Sequence, residues 1–330
     1  MTADHAQGGA GQRSISVIIV NWNSGPLLAE CLERLAAQTL RPAQVIVVDN
    51  ASSDGSEAAA EQFPEVRLLR MGANLGFAAG NNAALRLCAT EFVALLNPDA
   101  FPEADWLLRL YAAAEARPDV AAFGSRQLRH EDAGTLDGLG DTYHISGLVW
   151  RQGHGARDTA QSLAPRPIFS PCAAAALYRR QALADAGGFD EDFFCYVEDV
   201  DLGFRLRLAG HAALYVPDAV VRHVGSATTG GQHSDFSLYH GHRNLVWAFV
   251  KDMPGALFWA LLPLHLLLNV GTVAWFALRG RASVILRAKR DAVLGLPRMW
   301  AKRRAVQAGR KAGIGAIWQA LDKSLFARRS

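Results

Sequence analysis

The chain has 330 residues, half of them hydrophobic and 20% charged, a composition that supports a large core and excludes a disordered chain. Its net charge of +3 hides an asymmetry: residues 251–330 carry 15 Lys and Arg against 3 Asp and Glu, and the rest carries 19 against 28. An acidic body with a basic tail points to an anionic surface for the tail, such as a membrane.

Cys31, Cys88, Cys172 and Cys195 form no Cys-x-x-Cys pair, which argues against a zinc ribbon or a thioredoxin-like site. They read as small buried side chains in a reducing compartment. Residues 1–13 are Gly-rich and lack the apolar run of a signal peptide. They read as a disordered leader before a cytoplasmic catalytic body.

Val17-Ile18-Ile19-Val20 predicts a strand buried on both faces. Leu27, Leu28, Cys31, Leu32 and Leu35 have helical spacing, and Val45 to Val48 predicts a second buried strand. A polar loop from Asp49 to Ser56, a helix through Gln62 and a strand over residues 66–69 follow. Residues 74–82 form a small-residue turn leading into a helix, and Phe92 to Leu96 predicts a strand ending at Asn97-Pro98-Asp99. This alternation implies an α/β sheet with right-handed parallel crossovers. Loops after its strands, at Asn21, Asp49 and Asn97, should converge on a ligand crevice. Residues 125–168 read as strands and loops on the acceptor side, and residues 181–186 as a short helix.

In Phe193-Phe194-Cys195-Tyr196-Val197-Glu198-Asp199-Val200-Asp201, three carboxylates crowd into an apolar surround. Such crowding raises carboxyl pKa values and suits a general base. A helix start, where acidic residues are favoured, accounts for the same pattern. Val200, Leu202, Phe204, Leu206 and Leu208 alternate as in a strand. The Leu and Arg content and Gly210 favour a helix, with Asp201 and Arg205 paired at i and i+4. Residues 213–216 and 220–223 predict two short strands flanking Pro217.

Ala256 to Leu278 contains no charged residue and is long enough to span a bilayer. A buried hairpin, a spanning helix and a helix lying in the interface all fit. The basic flank from Arg279 to Arg290 favours interfacial contact. A nucleic-acid role for the tail finds no binding motif or stacking platform.

Asp49, at a strand end, suits a nucleobase or ribose, and equally a loop bonding its own backbone. Asp99 suits a hard cation, and equally an Asn-Pro-Asp turn. His223 could be a second metal ligand. There is no P-loop, no complete Gly-x-Gly-x-x-Gly fingerprint and no Gly-x-Ser-x-Gly elbow.

Residues 16–24, 45–56, 74–85, 94–100, 187–210 and 223–228, with Tyr239 to Asn244, resemble the family 2 glycosyltransferases of the GT-A fold, most closely the bacterial rhamnosyltransferase-like branch. The resemblance covers about residues 14–250, leaving 251–330 as a helical, membrane-associating extension. It implies a mostly parallel central sheet flanked by helices. It also implies that Asp49 contacts the base, that Val20 and Asn23 line the same pocket, and that Asn74, Gly76 and Asn81 form the loop beside the nucleotide. Asn97 and Asp99 stand where the family has Asp-x-Asp; Asn97 weakens the charge there. Asp99 and His223 are then ligands for Mg²⁺ or Mn²⁺, and Asp199 is the base with Glu198 beside it. The implied reaction is inverting transfer, first from dTDP-rhamnose, to a lipid-linked or cell-surface glycan on the cytoplasmic membrane face. A UDP- or GDP-sugar donor, and a non-catalytic nucleotide-binding or membrane scaffold, are the alternatives.

Overall fold

A computed structural model of the chain describes residues 15–225, 231 and 234–324. The expected leader and the Ser226-Ala227-Thr228 part of one matched segment lie outside these residues. The first strand, β1 (Ile15–Asn21), is buried along its whole length. Its Val17 and Ile19 pack on one side with Leu28, Cys31, Leu32 and Leu35 of α1 (Leu27–Ala36), while Ile18 and Val20 face the other core. Burial on both faces is why this strand reads as a continuous aliphatic run.

β2 (Gln44–Asp49), β3 (Val66–Arg70) and β4 (Phe92–Leu96) join β1 in parallel, in the order β3-β2-β1-β4. Between β2 and β3 the helix at residues 56–62 is a 3-10 helix. α2 (Gly76–Leu85) covers the second face. The sheet continues through β11 (Ala175–Arg179), antiparallel to β4, to β6 (Val120–Arg129) and β12 (Ala212–His223). The two strands expected around Pro217 are one, β12, with a register shift between Val216 and Val220 that accommodates the proline. β5 (Ala100–Pro102) pairs with the end of β12, and β7 (Leu136–Gly138) with β6. α3 (Trp106–Ala116) lies on the α1 face. β8 (Asp141–Tyr143) and β9 (Val149–Arg151) form a separate hairpin. β10 (Arg166–Pro167) closes the far edge and α4 (Arg180–Asp185) follows β11.

α5 (Glu198–Leu208) is helical despite its alternating pattern. Leu202 and Leu206 pack toward the sheet, and Val200, Phe204 and Leu208 toward the C-terminal helices. Two i, i+4 stripes on opposite sides of one buried helix reproduce a period of two. Asp201 and Arg205 pair within it, with Arg205 Nη2 2.7 Å from Asp201 Oδ2. Gly203 is required, because a Cβ there would fall 2.2 Å from Ser170 Cβ.

α6 (Asp235–Asp252), α7 (Gly255–Leu278), α8 (Ala282–Leu294), α9 (Leu296–Ala308) and α10 (Ile314–Ala320) complete the described chain. They share a third core with α5 that includes Phe204, Trp247, Phe249, Met299 and Ile317. The expected boundary at residue 250 falls inside α6. Residues 256–278 form one continuous helix, not a hairpin. Among the described residues α7 alone is long and apolar enough to cross a membrane. Only Phe258, Leu261 and His265 of it are buried.

Candidate active site

A cleft of about 1270 Å³ opens at the carboxyl ends of β1 and β4, larger than the roughly 300–1,000 Å³ that suits one small ligand. Sheet register assembles its first group. His223 stands opposite Ala100 in the β12–β5 pair, which brings its Nε2 to 3.2 Å from Asp99 Oδ1. On the other ring nitrogen, Nδ1 lies 2.8 Å from Asp137 Oδ2, and Arg151 Nη1 reaches the same carboxylate at 2.6 Å. Burial alone would lower the His223 pKa; the Asp99 and Asp137 carboxylates outweigh it and raise it to about 9. Arg151, His154 and His223 overcome the burial of Asp137 and hold its carboxyl well below the usual range.

The second group sits at the start of α5. Asn97 N–H donates to Ala174 C=O at 2.9 Å, so the β4 end and the turn before β11 are neighbours. From that turn, Ala173 N–H donates to Asp199 Oδ2 at 3.1 Å, and Val200 N–H to Oδ1 at 2.9 Å. Glu198 and Asp141 complete a buried carboxyl trio. Burial, then the charge of Asp199, pushes both well above the ordinary carboxyl range. Burial also raises Asp199, but its backbone donors and Arg151 oppose that. Glu198 Oε2 and Asp141 Oδ2 have no hydrogen-bond partner. Of the three, Asp199 is the carboxyl with two backbone donors, which favour its ionised form.

The loop that presents this group is strained. Phe194, Tyr196 and Val197 all have positive φ, at 65°, 64° and 71°, a rare region for residues with a Cβ and an outlier for valine. Asn244 holds it: one Nδ2 lies 2.7–2.9 Å from the carbonyls of Phe193, Cys195 and Tyr196. Arg243 Nη2 reaches the carbonyls of Asp192 and Phe193. Gly76 faces the same loop at φ +87°, and a Cβ there would fall 2.5 Å from Phe194 O. Asn244→Ala removes the common donor and is expected to lower turnover by about 100-fold through misplacement of Asp199, with donor affinity by calorimetry unchanged.

Of the residues singled out in sequence, Val20, Asn74, Gly76, Asn97, Asp99, Glu198, Asp199 and His223 line this one cleft. Asn23, Asp49 and Asn81 are not on its wall. Asp49 accepts from Asn21 Nδ2 at 3.1 Å and from Ser52, Asn23 accepts from Ser53 N–H, and Asn81 donates to Phe77 C=O. Asn23 and Asp49 brace the loops behind the wall, and the Asn81 bond lies within α2. Trp22, Asn50, Asp141, Trp150 and Arg151 also line the cleft, and Asp137 supports it. Asp137 and Asp141 bracket Gly138-Leu139-Gly140, a spacing that matches no motif.

The sheet order, the flanking helices and the position of the cleft are those of the GT-A fold. The family model for glycosyl transferase family 2 matches residues 16–187, and the chain belongs to that family. An N-acetylglucosaminyl-diphospho-decaprenol L-rhamnosyltransferase of Mycobacterium tuberculosis is 31% identical over 261 residues, covering 72% of this chain and 84% of the relative. The O-antigen chain rhamnosyltransferase RfbN of Salmonella typhimurium is 26% identical, covering 63% of this chain and 66% of the relative. Among solved structures, GalNAc-T7 with UDP, GalNAc and Mn²⁺ superposes with a TM-score of 0.58 at 15% identity, covering 74% of this chain and 48% of that one. These likenesses carry the fold and the rhamnosyltransferase-like branch of the family.

Proposed function

We propose that the protein is an inverting glycosyltransferase that moves rhamnose from dTDP-rhamnose to a lipid-linked glycan acceptor at the cytoplasmic membrane face. The observation that carries this reading is the placement of the Asp199, Glu198 and Asp141 carboxyls and the Asp99–His223 pair in one cleft. Asp199 takes the proton from the acceptor hydroxyl, which attacks the anomeric carbon from the face opposite the diphosphate. Glu198 and Asp141, pushed well above the ordinary carboxyl range by burial and then by Asp199, border the base. Asn50, Asn74 and Gly76 line the donor side, with Asp49 behind them.

The residues present fit a divalent cation. His223 Nε2 is buried and faces the Asp99 carboxylate at 3.2 Å, and the Nδ1 contact with Asp137 is the carboxylate support that ligating histidines take. Asn97 Oδ1 is buried and unpartnered. Among the described residues no cluster of three or more His, Cys, Asp or Glu forms a complete cage, as suits Mg²⁺ or Mn²⁺ that shares its shell with diphosphate oxygens and water. Bound there by Asp99 and His223, the ion would offset the charge of the leaving diphosphate. GalNAc-T7, of like fold, was solved with Mn²⁺.

The lipid-linked acceptor is supported by the diphospho-decaprenol substrate in the name of the mycobacterial relative and by the apolar, exposed α7. We place that helix in the membrane interface. Thermal stabilisation by nucleotide sugars tests the donor, since ligand at 100 times its Kd adds about 2.7 kcal/mol. dTDP-rhamnose with Mn²⁺ is expected to raise the midpoint most and to be consumed. A larger shift with a UDP- or GDP-sugar would reassign the donor. No shift and no turnover with any would leave a scaffold.

A further inference from the structure

The cleft does not end at the catalytic groups. Trp275 and Phe276, in the last turn of α7, and Arg279 and Arg281 beyond it line the same cavity as Asp99 and Asp199. The rest of α7 is an exposed apolar stripe at helical spacing: Trp259 is 64% exposed, Leu267 68%, Val270 68% and Leu278 88%. At 1.5 Å per residue its 24 residues run about 36 Å. A continuous apolar path therefore leads from the outer surface of the protein into the reaction cleft, and two guanidinium groups stand where it enters. Arg279 is stacked over Trp275, its Cζ 3.2 Å from the ring centroid. Arg281 pairs with Asp235 at the start of α6.

Resting on the transferase reading above, we propose that the turn from Trp275 to Arg281 is the acceptor gate. It takes a lipid diphosphate whose hydrocarbon chain lies along α7, whose diphosphate is held by Arg279 and Arg281, and whose sugar extends to Asp199. Charge complementarity chooses this occupant. The planar guanidinium fork binds phosphate oxygens in pairs. A neutral glycolipid would leave both cations without an anion from the substrate, and an unanchored sugar would not use the stripe. Stacking on Trp275 holds the Arg279 fork in place before substrate arrives.

The test compares two acceptors carrying the same N-acetylglucosamine, one on a short isoprenoid through diphosphate and one on a neutral octyl chain. It uses the full chain, wild type, Arg279→Gln and Arg279→Gln/Arg281→Gln. Acceptor-free donor hydrolysis is measured alongside. The expected result is a fall in kcat/KM of about 10-fold or more per arginine for the diphosphate acceptor, carried mainly by KM. The octyl glycoside and donor hydrolysis should be unchanged. Arg279→Lys should retain part of the activity, as a cation without the fork. Equal losses on both acceptors, or none on either, would overturn the gate. Should the double variant lose donor hydrolysis, Arg279→Gln decides alone, since Arg279 is exposed and its loss breaks no buried contact. Wild-type hydrolysis of donor without use of the diphosphate acceptor would refute the gate and leave the transferase standing. Absence of both hydrolysis and transfer would refute the transferase, and the gate with it.

Discussion

Asp199→Asn is expected to lower kcat by about 10²–10⁴-fold, the range a positioned general base supplies, with donor affinity unchanged. The amide keeps the shape and accepts from one of the two backbone donors, Ala173 N–H or Val200 N–H, while the other loses its acceptor along with the basic oxygen. Glu198→Gln is the contrast: burial and then Asp199 push its carboxyl well above the ordinary range, so replacing it with a neutral amide should cost far less. The pH profile supplies an independent sign. Burial raises the Asp199 pKa, and the base works only when ionised. Turnover should therefore fall as pH drops through a value above the ordinary aspartate range, and the residual rate of Asp199→Asn should lack that limb. Calorimetry with donor, single-turnover rates and a pH series check all three. Near-normal turnover in Asp199→Asn would remove it from the role of base.

Lys251→Met should be the most destabilising of the substitutions considered, by about 3–5 kcal/mol, the range for removing one partner of a buried ion pair. The Lys251 ammonium is buried between Asp190, at 2.7 Å, and Asp201, which Arg205 also holds. Asp190 further meets Lys302 of α9. This network joins the α5 helix to α6 and α9. Without the lysine, Asp190 and Asp201 keep one cation each, Lys302 and Arg205. The exposed Arg281–Asp235 pair has the opposite expectation, since surface pairs contribute about 0–1 kcal/mol. Denaturant midpoints of Lys251→Met and Arg281→Gln measure the difference, and equal shifts would show that the buried network is not what couples the helices. The network also has a pH sign. Lys251 and Lys302, against the burial of its carboxyl, hold the Asp190 pKa below its ordinary value. Its contribution is therefore present above the unfolded aspartate pKa and lost as pH falls through the lower folded one.

The same network changes the meaning of the charge asymmetry. From composition, a basic tail beside an acidic body suggested attraction to an anionic surface. Part of that attraction is internal. Lys251 and Lys302 meet Asp190, Arg298 and Lys302 meet Asp192, and Arg281 meets Asp235. At the mouth of the cleft the acceptor gate uses Arg279, stacked on Trp275, and Arg281, which meets Asp235.

The strands and the carboxylates that end them were legible because their causes are local. A strand covered on both faces must be continuously aliphatic, and a chain that turns at a strand end takes Asn, Asp and Gly. The helix at 198–208 was legible from residue type against its own periodicity. Its alternating pattern makes sense only once the sheet and the C-terminal helices are seen to occupy opposite sides.

By itself, then, the sequence determined the alternating sheet, the positions of Asp99 and Asp199 at strand and helix ends, and the long apolar helix. Each follows from propensity and hydrophobic period within a single segment. The tertiary structure alone gave Asp199 its second backbone donor, the N–H of Ala173, brought in by the turn before β11. It alone supplied Asp137 to His223, 86 residues apart in the chain, through the β6–β7 and β6–β12 pairings. And it alone set Asp49 behind the cleft and Trp275 to Arg281 on its rim, since burial and contact across distant segments leave no period in the chain that makes them.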